Sequence, residues 1–199
     1  MAASRVAPAP AAQNGQAQQA GPPAPVTQPA PQDDHRPLAE LRTSAATRAI
    51  MTTLEGGVVP RYYNDQAGNC TYGAGLLEHY GRCTPAEMAR RPSQAEMAAG
   101  FNQEVARAEV RVRRNVNRPL TQGQFDALVS LAFNAGDFAG PMFHAVNVLG
   151  PEQAAGRLPT TAITVAVRDQ HNRVIGHRVS RGLINRRHQE LAIYQRHAQ

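Results

Sequence analysis

The stretch "PLTQGQFDALVSLAFNAG" at 119–136 limits the fold most. Thr121 can cap a helix, Gln124 can reach back to it, and Leu120 can staple against Phe125. The helix that follows runs to about Asn134 through Leu128, Val129, Leu131, Ala132 and Phe133. It is apolar nearly all round, and such a helix is stable only when other elements surround it. The chain must therefore supply enough amphipathic helix to wrap a buried central one. Gly136 ends it.

The surrounding pieces can be read from both directions. Toward the N-terminus, Leu38, Leu41, Ala45, Ala49 and Ile50 recur at helical spacing and predict a helix over about 38–54. Gly56 and Gly57 stop it and leave Glu55 at its C-terminal end, a poor place for a carboxylate on dipole grounds. Residues 58–80 lose the helical period and carry Gly68, Gly73 and Gly75. Short strands near 61–64, 69–73 and 76–79 fit that pattern. "TPAE" at 84–87 and "SQAE" at 93–96 are capping boxes, the first with Pro at the first helical position. The second opens a long helix to about 114, with Met97, Phe101, Val105, Ala108 and Val112 on one face. Arg107, Arg111, Arg114 and Arg118 fall on the other. Toward the C-terminus the pattern predicts helical turns near 137–148 and 151–156, a hairpin within 162–178, and a helix over 180–197. The fold class is α+β, with a small antiparallel β lobe and a larger, mainly helical lobe.

The first 36 residues do not belong to that body. Ala, Pro and Gln make up 23 of them, with only two Val, so no core can form there. Residues 1–36 read as a disordered tail or linker, and 37–199 as one domain. The start "MAASRVAPAPAAQNGQ" lacks the basic and apolar regions of a secretory signal, and no stretch approaches the ~18–20 apolar residues of a membrane span. The expectation is a monomeric protein made in the cytoplasm. The formal net charge of +6 rests entirely on 37–199, since Arg5, Arg36, Asp33 and Asp34 cancel. Every basic residue is Arg, and a basic domain suits an anionic partner such as nucleic acid or an envelope polymer. Nucleic-acid binding ranks last, because stacking aromatics are scarce. Cys70 and Cys83 fit two reduced, unrelated thiols better than a bridge. A disulfide stays open, and it would stabilise by on the order of 3 kcal/mol. The spacing of Cys and His matches no zinc pattern, so neither metal nor cofactor is expected.

"EGGVVPRYYNDQAGNCTYGAG" resembles the active-site segment of the phage-type lysozymes, glycoside hydrolase family 24. Glu55-Gly56 is followed by Tyr63, Asp65, Gly68, Thr71, Gly73 and Gly75 in the family's order. "PLTQGQFDALVSLAFNAG" and "GLINRRHQEL" at 182–191 resemble two later helices of the same family, so the resemblance covers about 50–191. The interval from Glu55 to Asp65 is one residue longer than usual, and the turn at 57–61 is the natural place to absorb it. The Asp65–Thr71 interval is kept.

The resemblance implies a lysozyme-like fold and a muramidase. Its reaction is hydrolysis of the β-1,4 bond between N-acetylmuramic acid and N-acetylglucosamine in peptidoglycan. Cleaving a glycosidic bond needs an acid for the leaving oxygen and a carboxylate for water or sugar. Glu55 takes the first role, Asp65 the second, and Thr71 helps hold the water. The implied stereochemistry is inverting. Arg186 would orient Glu55, although on the residues alone an i,i+4 pair with Glu190 is the alternative. Phe133, Asn134 and Tyr63 would line or orient the sugar. His79 reads as a surface or packed histidine rather than a substrate contact. A phage endolysin and a secreted antibacterial effector both fit, acting on the periplasmic wall after release through a holin-type pore or delivery by a secretion apparatus through the tail. An anionic envelope surface could meet the arginine stripe. The competing reading is a lysozyme-like protein that binds peptidoglycan without cleaving it.

Overall fold

The computed structural model of the chain describes residues 34–54, 59–65, 68–171 and 173–196. Most of the expected tail, residues 1–33, lies outside them, as does Glu55. Residues 34–36, counted with the tail on composition, are bonded into the body. Arg36 and Leu120 exchange backbone hydrogen bonds at 2.9 and 3.1 Å, and His35 Nε2 meets Glu152 at 3.0 Å.

The elements follow in chain order: α1 (Ala45–Leu54), β1 (Val59–Asn64), β2 (Cys70–Gly73), β3 (Leu76–His79), α2 (Pro85–Ala89), α3 (Gln94–Asn115), α4 (Gln122–Ala135), α5 (Gly140–Leu149), α6 (Pro151–Ala154), β4 (Thr164–Arg168), β5 (Val174–Val179) and α7 (Arg181–Tyr194). Single-turn 3-10 segments join α4 to α5 and follow α6. This is the expected α+β arrangement of a small antiparallel sheet and a helical body.

α4 is the hub. Every residue from Gly123 to Ala132 is buried, and α3 and α7 pack against it. Its capping box is formed as expected: the Thr121 hydroxyl accepts from the Gln124 N–H, and Gln124 Oε1 accepts from the Thr121 N–H at 3.0 Å. α3 turns Val105, Ala108 and Val112 into the core. Of the arginines on its other side, Arg107 pairs with Glu104 at 2.6 Å and Arg111 with Asp137 at 3.3 Å, while Arg118 donates to the Asn147 carbonyl. α7 closes the body with Ile193 and Tyr194.

α1 starts seven residues later than periodicity predicts. Two buried carboxylates explain why. Asp126 of α4 accepts from the Ser44 backbone N–H at 3.0 Å, from the Ser44 hydroxyl, and from the Thr47 hydroxyl at 2.9 Å. Glu109 of α3 accepts from the Thr43 N–H at 2.8 Å and its hydroxyl at 2.9 Å. These bonds hold 43–44 out of the helix, and the Ser44 hydroxyl then caps it by accepting from the Thr47 N–H. The predicted apolar period upstream survives only in Leu38 and Leu41, which reach the core from a turn.

The small lobe is a three-stranded sheet in the order β1-β2-β3. The β2–β3 connection is Ala74-Gly75, and Gly75 holds φ +75°, where a side chain would be strained. Tyr62 and Tyr72 stack across β1 and β2 with ring centroids 5.2 Å apart. Two residues of β1, Pro60 and Arg61, bulge between the pairs Val59–Gly73 and Tyr62–Tyr72. That bulge falls within 57–61, the stretch expected to absorb the longer Glu55–Asp65 interval.

The ends of the body converge. Asp34 and His35 line one cavity of about 340 Å³ together with Tyr194, Gln195 and Arg196. Among the described residues no helix is long and apolar enough to cross a membrane.

Candidate active site

The β1–β2 turn carries Asp65 and ends in Thr71. Its shape comes from one residue, Asn69. The Asp65 side chain accepts from the Asn69 N–H at 2.8 Å, and the Asp65 N–H donates to the Asn69 carbonyl at 2.9 Å. The Thr71 hydroxyl donates to that same carbonyl at 3.3 Å. Asp65 and Thr71 are thus brought together around the backbone of one residue. Thr71 is buried and Asp65 half-exposed, and Tyr63 sits directly across the ladder from Thr71.

A second strand of chain anchors this turn from outside. Asn64, just before Asp65, accepts from the Cys83 N–H at 2.8 Å. Asn69 accepts from the Gly81 N–H at 3.2 Å, and the Cys70 N–H donates to the Gly81 carbonyl at 2.7 Å. Cys70 and Cys83 form a disulfide, so the expectation of two free thiols is corrected. Spacing could not reveal it, because β2–β3 is a tight hairpin that brings the chain back to the start of β2, leaving the two Cα atoms 4.6 Å apart. Asn64 and Cys70, which bracket the turn and directly precede Asp65 and Thr71, are therefore both fastened to Cys83.

His79 has both ring nitrogens engaged within the small lobe. Its Nδ1 bonds the Tyr80 carbonyl at 3.0 Å and its Nε2 meets Glu87 at 3.0 Å. Both bonds favour the protonated ring and hold it above the usual histidine range.

On the helical side, Phe133 and Asn134 end α4. Phe133 is half-buried, with its ring 5.6 Å from that of Phe101. The Asn134 side-chain oxygen accepts from the Arg187 guanidinium. Arg187 in turn pairs with Glu190 at 2.7 Å, Arg186 with Glu190 at 3.2 Å, and the Ser130 hydroxyl donates to Glu190 at 2.9 Å. Arg187 and Glu190 are fully buried and Arg186 is 6% exposed. Burial pushes the Glu190 carboxyl up, opposed by the two guanidiniums and the Ser130 hydroxyl. Burial likewise lowers Arg187 from its ordinary value, opposed by Glu190. The expected i,i+4 contact between Arg186 and Glu190 exists, but in the core rather than in solvent.

Arg187, Glu190 and Ser130 were missed as supports of the site. One signal was present: Ser130 and Asn134 are i,i+4 within the otherwise apolar run 127–135 of α4, so they share a face that α7 must satisfy. Arg186 and Asn134 are thus joined through Arg187 and Glu190, and Asp65 and Thr71 through Asn69. Glu55 follows directly on Leu54, the last residue of α1, and lies outside the described residues.

Comparison with known proteins meets this geometry. The family model described as phage lysozyme matches residues 53–190, which runs from the end of α1 to Glu190. No sequence among curated proteins gives a match. Among solved structures, an endolysin from the Escherichia coli O157:H7 phage FAHEc1 superposes with a TM-score of 0.66 at 23% identity, covering 80% of this chain and 98% of that one. The muramidase domain of SpmX from Asticaccaulis excentricus gives 0.62 at 24% identity, covering 78% and 99%. A lysozyme mutant of phage P22 gives 0.55 at 21%, covering 77% and 98%. These likenesses carry the fold, and the match over 53–190 carries the family: the chain belongs to the phage lysozymes.

Proposed function

We propose that the chain hydrolyses the β-1,4 bond between N-acetylmuramic acid and N-acetylglucosamine in peptidoglycan, with Glu55 as the acid and Asp65 as the carboxylate that activates water. As a member of the family it is a lysozyme-type glycoside hydrolase. The observation that carries the residue assignment is the turn in which Asp65 and Thr71 both grip Asn69. It presents a half-exposed carboxylate beside a hydroxyl, within the segment that also contains Glu55. Thr71 holds the attacking water by its hydroxyl, Arg186 orients the acid, and Tyr63, Phe133 and Asn134 line the sugar path. An inverting course follows if water attacks from the Asp65 side. The protein acts on the periplasmic wall after release or delivery, as a monomer, with the Ala/Pro/Gln-rich residues that precede 34 as the tether. Contact with an anionic envelope surface would use Arg107 and Arg114, both exposed on α3.

The test is digestion of purified sacculi, with products read by mass and by the anomer first released. The expected product has N-acetylmuramic acid at its reducing end, in the inverted configuration. Glu55→Gln should lower the rate by about 10²–10⁴-fold, the usual worth of a positioned acid. Equal rates for the wild type and Glu55→Gln would remove Glu55 from the mechanism. A wild type that binds sacculi without releasing fragments would remove the hydrolase reading.

A further inference from the structure

The donors Cys70 Sγ, His79 Nε2 or Nδ1 and a Glu87 carboxylate oxygen all lie within 4.8 Å of one another. They come from three separate pieces of chain: β2, the end of β3 and the first turn of α2. Cys83, the disulfide partner of Cys70, lies outside that trio but would bring a fourth donor beside Cys70 once the bond is broken. Counting spacings along the sequence excluded a zinc pattern, but Cys70, His79, Cys83 and Glu87 converge only after the β2–β3 hairpin folds back.

We infer that, when its two cysteines are reduced, the chain binds one zinc-like divalent cation through Cys70, Cys83, His79 and Glu87, a site that the disulfide otherwise closes. The outer groups are already oriented for it. The Tyr80 carbonyl takes the Nδ1–H of His79 at 3.0 Å, which leaves Nε2 as the ligand nitrogen. The Thr84 backbone N–H at 2.6 Å and the Thr84 hydroxyl at 2.9 Å both bond Glu87 Oε2, which leaves Oε1 turned toward His79 at 3.0 Å. In tetrahedral zinc sites the metal–ligand bonds of ~2.0–2.3 Å set ligand atoms about 3.2–3.8 Å apart. The donors of Cys70, His79 and Glu87 must therefore close up by no more than about 1 Å, while the two sulfurs move apart once their bond is broken. Cys70 is buried, while His79 and Glu87 are half-exposed, so the cation reaches the site from solvent.

Two thiolates, one imidazole and one carboxylate form a borderline-soft set that suits zinc or cobalt over magnesium or calcium. The exchange between states balances. A disulfide oxidant such as oxidised glutathione takes two electrons from the two thiolates and, with two protons, becomes two thiols. The Cys70–Cys83 bond forms, and the cation leaves. Either state ties β2 to the 80–83 segment, and so holds the bracket around Asp65 and Thr71 in reducing as well as oxidising surroundings.

The experiment uses the full chain reduced with a phosphine under argon and titrated with Co²⁺. The expected result is one equivalent bound, with a thiolate-to-cobalt charge-transfer band and the visible bands of tetrahedral cobalt. Zn²⁺ should bleach both, and oxidised glutathione should release the metal. The oxidised chain should show none of these bands. His79→Gln should weaken cobalt binding by at least about tenfold with the far-ultraviolet circular dichroism unchanged. Glu87→Gln is the second variant, because Gln also completes a capping box, so helix α2 survives while the carboxylate ligand is lost. A reduced, folded chain without the thiolate band overturns the inference, as does unchanged affinity in either variant. Because the readout is metal binding, the result stands apart from hydrolysis of peptidoglycan.

Discussion

Replacing Glu190 by Gln should be among the most damaging single changes in the molecule. Glu190 is fully buried beside Arg187 at 2.7 Å and Arg186 at 3.2 Å, and these arginines are themselves 0% and 6% exposed. Gln keeps the volume but not the charge, so two guanidiniums would remain in a place from which water is excluded. Removing one partner of a buried ion pair costs about 3–5 kcal/mol. A domain's whole stability is about 5–15 kcal/mol, so the loss is about a fifth of it or more. Ser130→Ala offers the internal comparison. It removes one hydrogen bond to a charged acceptor, worth about 1.5–3 kcal/mol, and leaves the charges unchanged. The assay is urea unfolding at neutral pH followed by far-ultraviolet circular dichroism, with the midpoint shifting at constant slope. Glu190→Gln within about 1 kcal/mol of the wild type would refute the reasoning, as would a larger loss from Ser130→Ala.

Reducing the disulfide in the presence of a chelator should lower stability by about 3 kcal/mol, the loop-closure value for a separation of 13 residues, read as a lower urea midpoint. Gly123→Ala should destabilise by about 1–3 kcal/mol despite Ala's better helix propensity. Its Cβ would lie 2.6 Å from the backbone oxygens of Ile193 and Arg196, whereas Gly140→Ala meets nothing within 4 Å and should be near neutral in the same melt. For Glu109, burial pushes the carboxyl up. The Thr43 backbone N–H, the Arg113 guanidinium and the Thr43 hydroxyl outweigh it and hold the carboxyl below its usual range. A depressed folded value gives stability that is complete above the unfolded value of ~4.3 and is lost as pH falls through the folded one. Glu109→Gln should therefore be less stable at neutral pH and lose less on acidification, and parallel acid curves for the two chains would contradict this.

Local chemistry made part of this fold readable in advance. The three capping boxes, Thr84 with Glu87, Ser93 with Glu96 and Thr121 with Gln124, are all formed, because a cap needs only four consecutive residues. The burial of α4 was readable for a similar reason: an apolar surface on every side has nowhere else to go. Distant partners were not readable. Asp126 and Glu109 shorten α1 from 82 and 66 residues away, and no periodicity within 38–54 encodes that. The Arg-Arg-x-x-Glu run of α7 looks solvated on composition, and Ser130 and Asn134 across the helix interface help to make its burial tolerable. In the candidate site, Asp65 and Thr71 stood out by pattern, while Asn69, the residue that joins them, looked like an ordinary turn asparagine.

The convergence of Asp34 and His35 with Gln195 and Arg196 on one cavity has a practical meaning for engineering. Because the backbone leaves the body where it began, a short peptide joining residue 196 to residue 34 closes the fold into a ring without stretching it. New termini opened in the exposed β4–β5 hairpin would then leave the β1–β2 turn and the α4–α7 contact on uninterrupted chain, and would move any fused cargo to the opposite end of the permuted polypeptide.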